Sequence, residues 1–174
     1  MNIYFIRHTA VDVPKGVCYG QSDVPLKPTF EVEAEIVKKG LSTIPFDKVY
    51  ASPLTRCKRL AHYCIDAKDE ITFDDRLKEL DFGDWEMKEW GEIDFKVWEE
   101  DWIGKAVPNG ESFKLMLARV SEFIDELREK PYENVIIFTH GGVCSCANVY
   151  FEHIKIEEAF ELKTEYGQII HHRF

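Results

Sequence analysis

Two arginines and two histidines stand at the ends of short apolar runs. Arg7-His8 follows residues 3–6 (IYFI), Ser52-Pro53-Leu54-Thr55-Arg56 follows 47–52, and His140-Gly141-Gly142 follows 135–139. Arginine presents a planar fork that matches phosphate oxygens. Imidazole near neutral pH can attack as a base or donate as an acid. In open α/β sheets, ligands bind beyond the carboxyl ends of the strands. If the three runs are neighbouring strands, Arg7, His8, Arg56 and His140 converge on one anion-binding spot. Ser52 is expected to cap a helix with Pro53 as its first residue, adding backbone N–H groups and a positive dipole end. A lone Arg or His after a strand is ordinarily a solvated loop residue. Four at three strand ends point to a site. The chain has no GxxxxGK[ST] loop, GxGxxG fingerprint, GxSxG elbow or HExxH pair.

The elements that must carry these groups follow from periodicity. Runs 3–6, 47–52 and 135–139 read as strands covered on both faces, apolar in their centres without polar alternation. Residues 71–73 suggest a short strand and 166–173 a last one. Phe30, Ala34, Val37, Leu41 and Ile44 form a helical stripe. So do Leu54, Cys57, Ala61 and Cys64, and then Phe113, Met116, Val120, Phe123 and Leu127. A helix is expected over 143–152 and a short one near 92–100. Strands alternating with helices predict a three-layer α/β/α sandwich with a largely parallel central sheet. The region 75–111 is irregular and holds Trp85, Trp90, Trp98 and Trp102. These form either a satellite apolar cluster or a lid that stacks on an aromatic leaving group.

The 174 residues are expected to form a single domain, 1–174. The net charge of −10 argues against nucleic acid or an anionic membrane as partner. It leaves room for a local positive pocket, since screening acts over about 8 Å. The opening residues carry no signal-peptide pattern and no apolar run reaches bilayer length, so a cytoplasmic protein is expected. Cys18, Cys57, Cys64, Cys144 and Cys146 fit no zinc spacing and are expected as buried free thiols.

Arg7-His8-Thr9 resembles the RHG motif of the histidine phosphatase superfamily, the phosphoglycerate-mutase-like proteins. SPLTRCKRLA at 52–61, LKELDFGDWE at 77–86, PNGES at 108–112 and FTHGG at 138–142 resemble further motifs of that family, in its order. GVCYGQSDVPL at 16–26 resembles the α-ribazole-5′-phosphate phosphatases of cobalamin biosynthesis. Met87 stands where many relatives have Gly, and Val143-Cys144-Ser145-Cys146 where relatives often have an Arg.

The resemblance implies a phosphoglycerate-mutase-like fold and a phosphomonoesterase that needs neither metal nor cofactor. His8 would be the nucleophile that forms a phosphohistidine. Arg7, Arg56 and His140 would hold the phosphoryl oxygens. Glu79 would be the general acid; residues alone leave Asp74, Asp75, Asp81, Asp84 and Glu86 as competitors. Thr9, Gly20 and Gln21 are expected to touch phosphate or leaving group, Gly20 by close backbone approach. Lys58, Arg59 and Arg76 are expected mostly in solvent. The partner is a small phosphomonoester, with α-ribazole 5′-phosphate first. A broad sugar or nucleotide phosphatase, a phosphoglycerate mutase, a non-catalytic phospho-ligand module and a Cys/His metal protein are alternatives. Oligomeric state stays open, a homodimer being one option.

Overall fold

A computed structural model describes residues 1–174, apart from the side chain of Val97. Five strands form one sheet: β1 (Asn2–Arg7), β2 (Lys48–Ala51), β3 (Ile71–Phe73), β4 (Asn134–Thr139) and β5 (Ile169–Arg173), in the order β3-β2-β4-β1-β5. β3, β2, β4 and β1 run parallel, and β5 closes the edge antiparallel to β1. The expected final strand is therefore shorter than 166–173. Residues 166–168 turn instead, with Gly167 at a φ of +71°.

Alternate strand residues feed two apolar layers. Ile3, Phe5, Val135 and Ile137 pack under helices α4 (Phe113–Arg128) and α5 (Gly141–Tyr150). Ile6, Val49, Ala51, Ile136 and Phe138 pack under α1 (Phe30–Leu41) and α2 (Thr55–Cys64). Burial on both faces explains why the sequence shows unbroken apolar runs. α1 buries the expected Phe30, Ala34, Val37 and Leu41 but stops before Ile44. Pro45 follows, and the residue before a proline is driven out of the helical region. Ser112 caps α4 through its Oγ, which accepts from Leu115 N at 3.2 Å. The short helix expected near 92–100 is α3 (Lys96–Asp101). No helix among the described residues is long and apolar enough to cross a membrane.

His172 on β5 is 1% exposed. Its ring lies flat on Phe151 at 4.5 Å and edge-on to Phe5, and neither ring nitrogen finds a protein partner. Burial first, then the neighbouring His153 and His171, push it down to about 4. A histidine depressed in the folded state stabilises above its unfolded value near 6.5, and that contribution fades as pH falls towards 4. The linkage is worth about 3 kcal/mol at most. Urea midpoints at pH 7 and pH 4.5 should fall further apart for wild type than for His172→Phe. An equal drop in both proteins would place solvent around this ring.

Candidate active site

β1, β4 and β2 are consecutive in the sheet, and their register levels the three ends. Arg7 pairs with Thr139, and Ala51 with Phe138. The ladder continues past them, with His8 N donating to Thr139 O and Ser52 N to Phe138 O, both at 2.9 Å. The next side chains, His8, Ser52 and His140, therefore leave the sheet at one height. The His8 and His140 rings lie 5.3 Å apart, edge to face at 65°. Arg7, His8, Arg56 and His140 are thus brought together, as expected.

Each group is held by neighbours. His8 Nδ1 lies 2.8 Å from Thr9 O, a contact that places the proton on Nδ1 and leaves Nε2 with its lone pair. Burial foremost, then Arg56 and Arg7, push this imidazole well below its ordinary value, against the opposing pull of the Thr9 carbonyl. His8 is neutral at pH 7. Arg56 is wholly buried; it donates through Nε to His140 Nδ1 at 3.2 Å, and through its two Nη to Ser22 O and Gly20 O. His140 Nε2 consequently carries the proton and donates to Ser52 Oγ at 2.8 Å. Burial and then Arg56 hold His140 neutral as well. Arg7 donates to Thr164 O at 2.6 Å, and its guanidinium lies 4.0 Å from the centre of the Tyr166 ring. Tyr166 and Tyr19 share a hydrogen bond of 2.6 Å between their hydroxyls, and the Tyr19 ring faces Arg56 at 5.6 Å. This tyrosine pair joins the loop after β1 to the C-terminal segment above the two guanidiniums.

Ser52 does not cap α2. The helix begins at Thr55, whose N–H and hydroxyl both donate to Asp23, so a carboxylate from the loop occupies that end. His140 draws Ser52 Oγ away, leaving a 3.4 Å contact with Leu54 N.

Two adjoining clefts meet at Arg7 and Glu79, and His8 lines the first of them. One, of about 200 Å3, has Arg7, His8 and Glu79 at its base and Tyr19, Phe82, Trp90 and Phe160 as walls. The second, of about 460 Å3, shares Arg7, Glu79, Trp90 and Phe160 and adds Ser145, Lys163 and Thr164. Among the six acidic residues from 74 to 86, Glu79 is the one in these walls. Asp74 pairs with Arg76, Asp75 with Lys78, Asp81 accepts from Gly83 N and Asp84 from Asn109. Glu86 accepts the N–H groups of Gly20, Gln21, Ser22 and Phe82. Burial opposes its charge, but these hydrogen bonds outweigh burial and hold Glu86 below the usual carboxylate range.

Thr9, Gly20 and Gln21 stand behind the cleft walls. Thr9 acts on His8 through its carbonyl. Gly20 has no room for a side chain, because a Cβ would meet Leu80 O at 2.0 Å. Its close approach is to the 80–86 segment. Gln21 Nε2 donates to Glu79 O at 3.0 Å. Of the four tryptophans, Trp90 lines the clefts. Trp85 is buried against Phe95 and Trp98, while Trp98 and Trp102 pack on Phe160. Lys58 and Arg59 lie over Phe73 and Phe30. All five cysteines are buried and unpaired. Among the described residues, no three His, Cys, Asp or Glu side chains are grouped to hold a metal ion.

The C-terminal segment, with Phe160, Lys163, Thr164 and Tyr166, was not expected at this site. A run of mixed charge and isolated aromatics has no periodicity to place it. Met87 has a φ of +61°. That left-handed backbone is disfavoured for side chains, and Met87 N is nonetheless held by Cys18 O at 2.8 Å.

The model of the histidine phosphatase superfamily (branch 1) matches residues 3–174. The chain belongs to the histidine phosphatase superfamily. It is 30% identical to an adenosylcobalamin/alpha-ribazole phosphatase of Escherichia coli K12 over 155 residues, 83% of this chain and 76% of that one. It is 28% identical over 149 residues to phosphoserine phosphatase 1 of Hydrogenobacter thermophilus, covering 80% and 71%. The crystal structure of the alpha-ribazole phosphatase from Shigella flexneri superposes with a TM-score of 0.88 at 27% identity, covering 98% of this chain and 89% of that one. The fold is the phosphoglycerate-mutase-like α/β architecture expected from the motifs.

Within this superfamily fold Gly142 has a local reason. A Cβ there would lie 2.2 Å from Glu79 Oε1 and 3.0 Å from Met116 Cε. The carboxyl is the movable partner, so it yields and the helix stays. Gly142→Ala should lower kcat for an alkyl phosphate by about 10²-fold, the scale of a misplacement near 1 Å. Its melting temperature should stay close to wild type, and unchanged kcat would show that Glu79 is free to move without consequence.

Proposed function

We propose that the chain is a phosphomonoesterase that works through a phosphohistidine on His8, with residues 1–174 acting as one domain. The observation that carries this reading is the fixed neutral ring of His8, its Nδ1 tied to Thr9 O, in one cleft with Glu79. The Nε2 lone pair attacks phosphorus and the P–O ester bond breaks. Glu79 gives its proton to the departing alkoxide oxygen. Arg7 and Arg56 stabilise the phosphoryl oxygens, Arg56 through the N–H groups not engaged by Gly20, Ser22 and His140, and His140 joins them by turning its Nε2–H from Ser52 Oγ to a phosphoryl oxygen. Water then attacks phosphorus, Glu79 takes its proton, and the P–N bond to His8 breaks to release phosphate. No metal or cofactor enters these steps.

The substrate in this reading is α-ribazole 5′-phosphate. Similarity to alpha-ribazole phosphatases supports it, and so do the aromatic walls Tyr19, Phe82, Trp90 and Phe160, which suit a flat heteroaromatic leaving group. Lys163 and Ser145 in the second cleft favour one other reading, a phosphatase for small polar or anionic esters such as phosphoserine.

A panel of α-ribazole 5′-phosphate, phosphoserine, 3-phosphoglycerate and a nucleoside monophosphate, assayed with EDTA, separates them. The ribazole ester should lead in kcat/KM by at least about tenfold, a margin within reach of pocket contacts. Rapid quenching should trap an acid-labile phosphoprotein in wild type and none in His8→Ala. Equal rates across the panel would remove the ribazole assignment. Turnover by His8→Ala would remove the nucleophile.

A further inference from the structure

Glu79 lies on irregular chain. It follows a single turn at Asp75–Leu77 and belongs to no strand, so no ladder fixes its backbone. Arg119 does that work from the side. It stands on α4, one turn beyond Met116, which lines the first cleft. Its Nη1 donates to Arg76 O at 2.6 Å and Lys78 O at 2.8 Å, and its Nη2 donates to Glu79 O at 3.0 Å. Nε and Nη2 form two parallel bonds with Glu111, at 2.7 and 2.9 Å. All five N–H groups of the guanidinium are thereby used. The side chains are 18% and 14% exposed, so water competes weakly for them. Glu111 is tied in turn to the far side of Glu79, since its N–H donates to Asp81 O at 2.9 Å and its Oε2 accepts from Asp81 N at 3.3 Å.

We propose that Arg119, oriented by Glu111, is the positioning residue for the general acid: it grips the carbonyls of residues 76, 78 and 79 and so holds Glu79 against the leaving-group oxygen. The Glu79 carboxyl itself is aimed by Leu80 N and Gly142 N, at 3.0 and 3.1 Å, and both contacts have meaning only if the backbone at 79 is stationary. Lysine cannot replace the fork, because a single ammonium cannot span three carbonyls and a bidentate carboxylate at once. The inference rests on the general-acid role given to Glu79 above.

The leaving group provides the test. An alkoxide needs the proton of Glu79, whereas 2,4-dinitrophenolate departs without one. kcat/KM reports steps through phosphoryl transfer to His8, so it isolates the acid role from the later water attack. Arg119→Ala should lose about 10²-fold in kcat/KM on an alkyl phosphate, the scale of general-acid catalysis, and change little on 2,4-dinitrophenyl phosphate. Glu111→Gln, which keeps the shape and removes the charge, should show the same pattern at smaller size even if Arg119→Ala proves unstable. Arg119→Ala/Glu79→Gln should be no slower on the alkyl ester than Glu79→Gln alone. Equal losses on both esters in both Arg119 and Glu111 variants, or a double variant slower by the product of the single effects, would overturn the proposal. If Glu79→Gln itself shows no dependence on the leaving group, the general-acid role falls, and with it this inference, whatever the Arg119 variants do.

Discussion

Two guanidiniums and two imidazoles are packed together beyond the ends of β1, β4 and β2, and much of the surrounding structure follows from the need to keep that cluster tolerable. Buried like charges repel and lose their hydration, at a cost on the order of several kcal/mol per ion. The protein keeps the histidines neutral and gives each guanidinium carbonyl acceptors. Arg56 donates to the carbonyls of Gly20 and Ser22, and Arg7 to that of Thr164. Each guanidinium also faces a tyrosine ring. The chain segments flanking the cleft, the loop after β1 and the stretch before β5, are drawn in because they supply these carbonyls and rings. His8 stays neutral because the same positive neighbours, with burial, disfavour its cation. The groups suited to bind a phosphoryl dianion thus also keep the imidazole in its attacking form.

A second set of contacts fixes the loops by acids. Glu86 gathers the N–H groups of residues 20–22, Asp23 holds the start of α2, and Glu111 orients Arg119. Loop backbone has no ladder to satisfy its polar groups, and a carboxylate can accept several N–H donors at once. The net charge of −10 is compatible with a positive pocket for this reason: part of the acid is spent inside, on backbone.

The sheet, the helical stripes and the meeting of Arg7, His8, Arg56 and His140 were legible in the sequence. Strand ends can be read from apolar runs, and parallel neighbours level whatever follows them. Glu79 was legible through the motif pattern alone, since six acids crowd residues 74–86. Positions whose role depends on distant partners were not legible. Ser52 looks like a helix cap until His140 arrives from 88 residues away. Gly20 looks like room for a ligand, but the space is filled by Leu80 O and Glu86. Phe160, Lys163 and Tyr166 come from a segment without periodicity, placed by aromatic packing on Trp98 and Trp102 and by the hydroxyl of Tyr19.

The proposed chemistry depends most on the state of one ring. Nitrogen NMR of protein labelled at histidine, with His8→Asn to assign the signal, reads it directly. The expected result is a neutral His8 at pH 7, with the proton on Nδ1 and Nε2 bare, and no conversion to imidazolium until the pH is well below 6.5. A His8 that carries its proton on Nε2, or is an imidazolium at pH 7, would contradict it.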